Sequence, residues 1–132
     1  MTWSSKQCGV GLAEPVCQAS ILRYDKKLGG AKGHIILFSN PAGLTTRKIS
    51  SGYPAGRERE QMTVRLGFDG CRTWPVARTI YQGPAAYSCL VRMPNGQIGC
   101  FYEAERPTSG RGKLVLAMFT LDWLIGVSSR AN

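Results

Sequence analysis

An antiparallel all-β domain is what this sequence predicts, on three observations. Sixteen glycines and seven prolines are many for a compact helical protein of 132 residues, and they separate short runs of β-branched and aromatic residues. The runs themselves are of strand length, and the one from Met62 to Phe68 alternates. An Asn95-Gly96 step stands between two of them, as in a tight hairpin. The length suffices for one small domain with its own core.

Taken in order, residues Met1–Gln18 are turn-like, punctuated by Gly9, Gly11 and Pro15. Ala19–Tyr24 reads as a short strand, followed by the polar, glycine-rich turn Asp25–Gly30. Ile35–Phe38 is apolar and short, the pattern of a buried central strand. Ser39–Gly43 ends it, because Pro41 removes a donor and biases its neighbour away from helix. Leu44–Glu58 is a long basic loop, of a length that compact domains keep for function or leave disordered. Met62–Phe68 is the next strand, and Thr79–Tyr81 a short outer one after Trp74-Pro75. Ser88–Met93 and Gln97–Tyr102 flank Pro94-Asn95-Gly96, whose Asn-Gly step suits the positive φ angles of a tight turn. Lys113–Leu124 closes the chain as a last strand, with helix the weaker option given Val115, Phe119 and Thr120. The expected grouping is a four-stranded sheet over about Ala19–Tyr81 and a three-stranded one over Tyr87–Leu121.

A formal charge of +9 points to an anionic partner: nucleic acid, phosphate or an acidic sugar. Aromatics are not interleaved with the basic residues, which speaks against a stacking nucleic-acid surface. Five cysteines, an odd number without CxxC, give no disulfide framework and no metal spacing, so no metal or cofactor is expected. No apolar run reaches membrane-spanning length, and no signal peptide opens the chain. Secretion or a periplasmic location would follow only if a longer parent carried such a signal.

Four motifs carry the chemistry. In Gly67-Phe68-Asp69-Gly70-Cys71-Arg72-Thr73-Trp74, an aspartate can cap the amides of a tight loop while tryptophan packs beneath it. A second Thr-Trp pair, Thr2-Trp3, hints at a repeat of the unit between them. Tyr87, in Ala86-Tyr87-Ser88, opens a strand, where a tyrosine is ordinarily a half-buried packing residue. Downstream, Phe101-Tyr102-Glu103 ends a hairpin on a carboxylate. Arg59 stands just before the Met62 strand, with Arg57 and Arg65 as competing cations. A guanidinium fork binds a carboxylate bidentately and keeps its charge.

In this order the motifs resemble the exo-α-sialidase (neuraminidase) family from about Cys17 to Glu103. The Asp69 turn is similar to the Asp box Ser-x-Asp-x-Gly-x-Thr-Trp, with Gly67 in place of its serine and Cys71 in place of its glycine. The resemblance implies antiparallel four-stranded blades of a six-bladed β-propeller, of which residues 1–132 supply about two, from the C-terminal part of the catalytic domain. It implies Tyr87 as nucleophile, Arg59 as one of three arginines on the substrate carboxylate, and Glu103 as the residue orienting another arginine. The implied partner is a sialylated glycan, not nucleic acid. Sialic acid bears a carboxylate at its anomeric carbon, so a neutral phenol can approach where a carboxylate nucleophile is repelled. The base for the tyrosine, the acid/base aspartate and two arginines would belong to earlier blades, with Thr2-Trp3 the tail of the preceding box. Alone, such a portion is expected to be inactive. Two other readings stay open: a non-catalytic basic β-propeller module binding anionic glycans or nucleic acid, and a purely structural propeller repeat.

Overall fold

A computed structural model of the chain describes residues 5, 12–13, 15–24, 34–43, 59–105 and 112–126. The Asp25–Gly30 turn, the basic loop Leu44–Glu58 with Arg57, and the Thr2-Trp3 pair lie outside the described residues. Within them, strands β1 (Ser20–Tyr24), β2 (Ile35–Pro41), β3 (Glu60–Gly67), β4 (Val76–Arg92), β5 (Ile98–Ala104) and β6 (Lys113–Phe119) each pair antiparallel with the next. A short helix, α1 (Leu121–Ile125), follows. The fold is all-β and antiparallel, as the punctuation of the sequence predicts.

β2 is the central strand expected: Leu37 lies opposite Leu22 on one side and Leu66 on the other, and Ile35 and Leu37 are fully buried. It does not end at Phe38, however. Asn40 and Pro41 still pair with Thr63 and Met62, and the amides of Ala42 and Gly43 bond the carbonyls of Gln61 and Glu60 at 3.1 and 3.0 Å. Proline sits at the end of the strand, where its missing donor costs little.

The largest departure is β4. Two short strands were expected here, Thr79–Tyr81 and Ser88–Met93; instead one strand of 17 residues runs through Gly83-Pro84. Its first half pairs with β3, from Leu66↔Val76 to Glu60↔Pro84, and its second with β5, from Ala85↔Ala104 to Arg92↔Ile98. At Gly83 the Tyr81 side chain folds back over the backbone: a Cβ there would lie 2.6 Å from the phenol oxygen, so the ring would have to shift. The bend is absorbed by register shifts around Met62, with Gln61 at φ 57.

The sheet thus divides at β4 into the expected four-stranded and three-stranded parts, which face each other across one core. Ile35, Leu37, Val64 and Leu66 meet Leu90, Ile98, Cys100, Tyr102 and Phe119 there. Each such aliphatic or aromatic side chain contributes about 1.5–3 kcal/mol of burial free energy. Tyr24 Oη donates to Gly96 O at 2.8 Å and ties β1 to the β4–β5 hairpin. In that hairpin Met93 N donates to Gln97 O at 2.8 Å and Gly96 N to Met93 O at 2.9 Å. Only Gly96 takes positive φ, at 82°, so the loop has three residues and Asn95 acts through its side chain, accepting from Gln97 N at 3.0 Å.

The last strand also differs from expectation, stopping at Phe119. Thr120 caps α1, its hydroxyl accepting from Trp123 N at 3.1 Å, and Gly126 ends it in the left-handed conformation at φ 88. Leu121 and Leu124, at helical spacing, are the buried face, and the Arg78 guanidinium lies 4.5 Å above the Trp123 ring. Cap, spacing and terminator together outweigh the β-propensity of the segment.

At the exit of β3, Asp69 Oδ1 accepts from Arg72 N and Thr73 N at 3.0 Å each, and Oδ2 accepts from Thr73 Oγ1 at 2.7 Å. Gly70 and Cys71 are both left-handed, at φ 74 and 69. Trp74 packs at 5.6 Å from Phe38, and a Cβ on Gly67 would come within 2.9 Å of Thr73 O. The residue in the serine position of this turn therefore has no room for a side chain.

Two predictions follow from this architecture. The Thr73 amide and hydroxyl, followed by the Arg72 amide, hold the Asp69 carboxyl below the ordinary aspartate range. A depressed folded pKa contributes stability that is present above about pH 4 and is lost as pH falls through the folded value. Asp69→Asn is therefore expected to lower the urea midpoint at about pH 6, with the gap to wild type closing as pH falls through the depressed folded value. The second concerns the outer face of β4, β5 and β6. Val91, Phe101, Leu114, Leu116 and Met118 lie there at 44–67% exposure. So large an apolar surface drives association. Sedimentation velocity on the 132-residue chain should show concentration-dependent self-association that Leu116→Lys with Met118→Glu suppresses.

Candidate active site

The division of β4 brings distant parts of the sequence to one place. Arg59 stands at the mouth of β3, where its carbonyl accepts from Ala85 N at 2.8 Å. On the other side Glu105 N donates to Pro84 O at 2.9 Å. The start of β3 and the end of β5 are thereby fastened to the same peptide group of β4.

Two residues further along β4 is Tyr87. The register passes from Ala86↔Glu103 to Ser88↔Tyr102, so Tyr87 is the extra residue of a β-bulge. Its φ is 42, a left-handed value that costs a residue with a Cβ about 1–2 kcal/mol. The flanking residues hold it there. Ala86 and Ser88 are buried, and Ser39 Oγ donates to Ser88 Oγ at 2.8 Å while Ser88 Oγ donates to Ser39 O at 2.9 Å. Deprived of a place in the ladder, Tyr87 N donates to Cys17 Sγ at 3.2 Å. Between two buried neighbours the tyrosine itself is 41% exposed. Bulges of this kind re-aim side chains beside active sites.

Arg59 meets that phenol. Its Nη1 donates to Tyr87 Oη at 3.2 Å, its Cζ lies 5.2 Å from the ring centroid, and its Nη2 donates to Val16 O at 2.5 Å. The structure therefore brings Arg59 and Tyr87 into direct contact. Glu103 lies on the neighbouring strand, opposite Ala86 and Leu114, half-buried, and no cation among the described residues pairs with its carboxylate. Arg65 is kept away from them: inside β3 it is buried, and its Nη1 donates to Asn40 Oδ1 at 2.8 Å. Burial lowers the Arg65 pKa. Arg57 lies outside the described residues.

The Asp69 turn is at the far end of β3, which at roughly 3.3 Å per residue is some 25 Å from Arg59. It acts on the fold and not on the site. Residues 16–18 stand at the start of the stretch that carries the resemblance but have no site role in the sequence reading, although they touch both Arg59 and Tyr87. Their side chains give no signal at a distance, because nothing local tells a thiol acceptor from a core cysteine. Among the described residues no group of three His, Cys, Asp or Glu could hold a metal ion, and no helix is long and apolar enough to cross a membrane.

Comparison with known proteins gives a consistent set. No protein-family profile matches the chain. A curated sialidase of Micromonospora viridifaciens is 35% identical over 118 residues, which cover 88% of this chain and 16% of that protein. The chain thus spans about a sixth of the length of the curated relative it matches. Among solved structures, the Hadza microbial sialidase Hz136 superposes with a TM-score of 0.60 at 25% identity, over 84% of this chain and 19% of that one. The leech intramolecular trans-sialidase gives a TM-score of 0.61 at 21% identity, over 83% of this chain and 17% of that one. The intramolecular trans-sialidase of Ruminococcus gnavus gives 0.58 at 22% identity, over 82% and 23%. The last two likenesses are of fold.

Proposed function

We infer, for a chain that belongs to the sialidase family and whose two sheets are blades of its β-propeller, a share in the active site of a retaining exo-α-sialidase. Residues 1–132 form one portion of that catalytic domain, and the substrate is a glycan ending in α-linked sialic acid. The observation that carries this reading is the contact of Arg59 Nη1 with Tyr87 Oη at 3.2 Å, on a tyrosine lifted from its strand by a bulge.

The chemistry divides between the two residues. Arg59 grips the sugar carboxylate and keeps an N–H on the phenol oxygen, supporting the negative charge that gathers there as a base takes its proton. Tyr87 Oη then attacks the anomeric carbon as the glycosidic oxygen departs with a proton from a general acid. A glycosyl–tyrosine forms, and water releases sialic acid with net retention. The base, the acid and the remaining arginines come from other parts of the domain. Glu103 orients one of those arginines from the strand beside Tyr87.

Two measurements on the full-length protein test this. Tyr87→Phe should abolish most turnover of an aryl α-sialoside while leaving binding of a sialic-acid analogue largely intact; near-wild-type turnover would remove Tyr87 from its role. Arg59→Lys keeps the charge but loses the fork. It should weaken an analogue by about 1.5–3 kcal/mol, one to two decades in inhibition constant. Arg57→Lys serves as control. Small, equal effects at both positions that vanish in high salt would mean that the region is only basic, as in a non-catalytic anion-binding module.

A further inference from the structure

We propose that residues 16–18 form a strap that positions the nucleophile, with Cys17 as its central contact; the proposal rests on the active-site reading above. Three consecutive residues each hold a different part of the site. Val16 O accepts from Arg59 Nη2 at 2.5 Å, Cys17 Sγ accepts from Tyr87 N at 3.2 Å, and Gln18 Nε2 donates to Ser88 O at 3.2 Å. The arginine, the bulged tyrosine and the peptide that follows it are therefore all tied to one short segment.

The Cys17 contact has a specific task. A bulge withdraws one peptide from the ladder, so the Tyr87 N–H has no acceptor on β5. An amide left without an acceptor pulls the backbone towards conformations that find one. The thiol supplies the acceptor where the left-handed φ of Tyr87 directs the amide, and so keeps that conformation populated. The phenol oxygen stays under Arg59 as a result. Val16 is itself left-handed, at φ 56, and turns its carbonyl onto the guanidinium. Cys17 touches neither sugar nor reacting atoms; it is a positioning residue.

The Cys17 contact acts on the attack, not on the grip of the sugar carboxylate, so its loss should separate kcat from KM. In the full-length protein, Cys17→Ala is expected to lower kcat for an aryl α-sialoside about five- to tenfold, the worth of one neutral hydrogen bond. KM and the inhibition constant of 2-deoxy-2,3-didehydro-sialic acid should stay within about twofold. Cys17→Ser keeps an acceptor and should restore most of the rate. Gln18→Ala, on the exposed side of the strap, should lower kcat more mildly and in the same manner. Should Cys17→Ala fail to fold, Cys17→Ser and Gln18→Ala carry the test, and wild-type kcat in Gln18→Ala overturns the strap. A folded Cys17→Ala enzyme with wild-type kcat overturns it directly, as does a loss confined to thermal stability. Normal turnover by Tyr87→Phe would defeat the active-site reading itself; an inactive Tyr87→Phe beside an unimpaired Cys17→Ala would defeat the strap alone.

Discussion

The structure depends on one strand serving two sheets. β4 gives its first half to β3 and its second to β5, and the change of partner falls at Pro84–Ala85. A proline at that point is an advantage, since a residue leaving one ladder need not donate to it. The paired bonds from Ala85 N to Arg59 O and from Glu105 N to Pro84 O lock the two ladders to the same peptide. The junction is also where the chain can carry an extra residue, and the extra residue is Tyr87. Arg59, Tyr87 and Glu103 are neighbours because the sheet divides where it does.

The two arginines of this region show how position decides what a cation does. Arg65, within β3, is buried with a neutral amide for a partner, and burial weakens its hold on its proton. It ties β3 to Asn40, and Asn40 Nδ2 in turn donates to Ala13 O at 2.5 Å. Arg59, at the strand's mouth, keeps its fork beside an exposed phenol. A diffuse charge of +9 would treat them alike. The bidentate role proposed for Arg59 would not.

What the sequence showed was local or repeated in pattern. The Asp69 turn is readable because its bonds join residues three and four apart. The central strand and the grouping into sheets follow from alternation and turn residues. The continuity of β4 through Gly83-Pro84 was not legible, because a pair that commonly ends a strand also lets one bend and change partners. Lys113–Leu124 was split because a threonine cap and two leucines three apart acted over a few residues, below the length at which periodicity is decisive. Tyr87 and Arg59 were legible only through resemblance. Their contact spans 28 residues of chain, and the thiol that supports it spans 70. No local pattern encodes such pairs.

That separation in sequence has a kinetic side. The Asp69 turn closes over four residues, so it can form before any sheet exists. The contacts of residues 17 and 18 with β4 close loops of 70 residues and wait until β1 to β5 have assembled. Contacts that are entropically last to form, and that lie at the partly exposed margin of the core, are the first to open. The geometry around Tyr87 therefore belongs to the least protected layer of the protein. Slow amide exchange in β2 and β3 is then expected to persist while the contacts of residues 17 and 18 are already open, so that the geometry around Tyr87 is lost ahead of the fold.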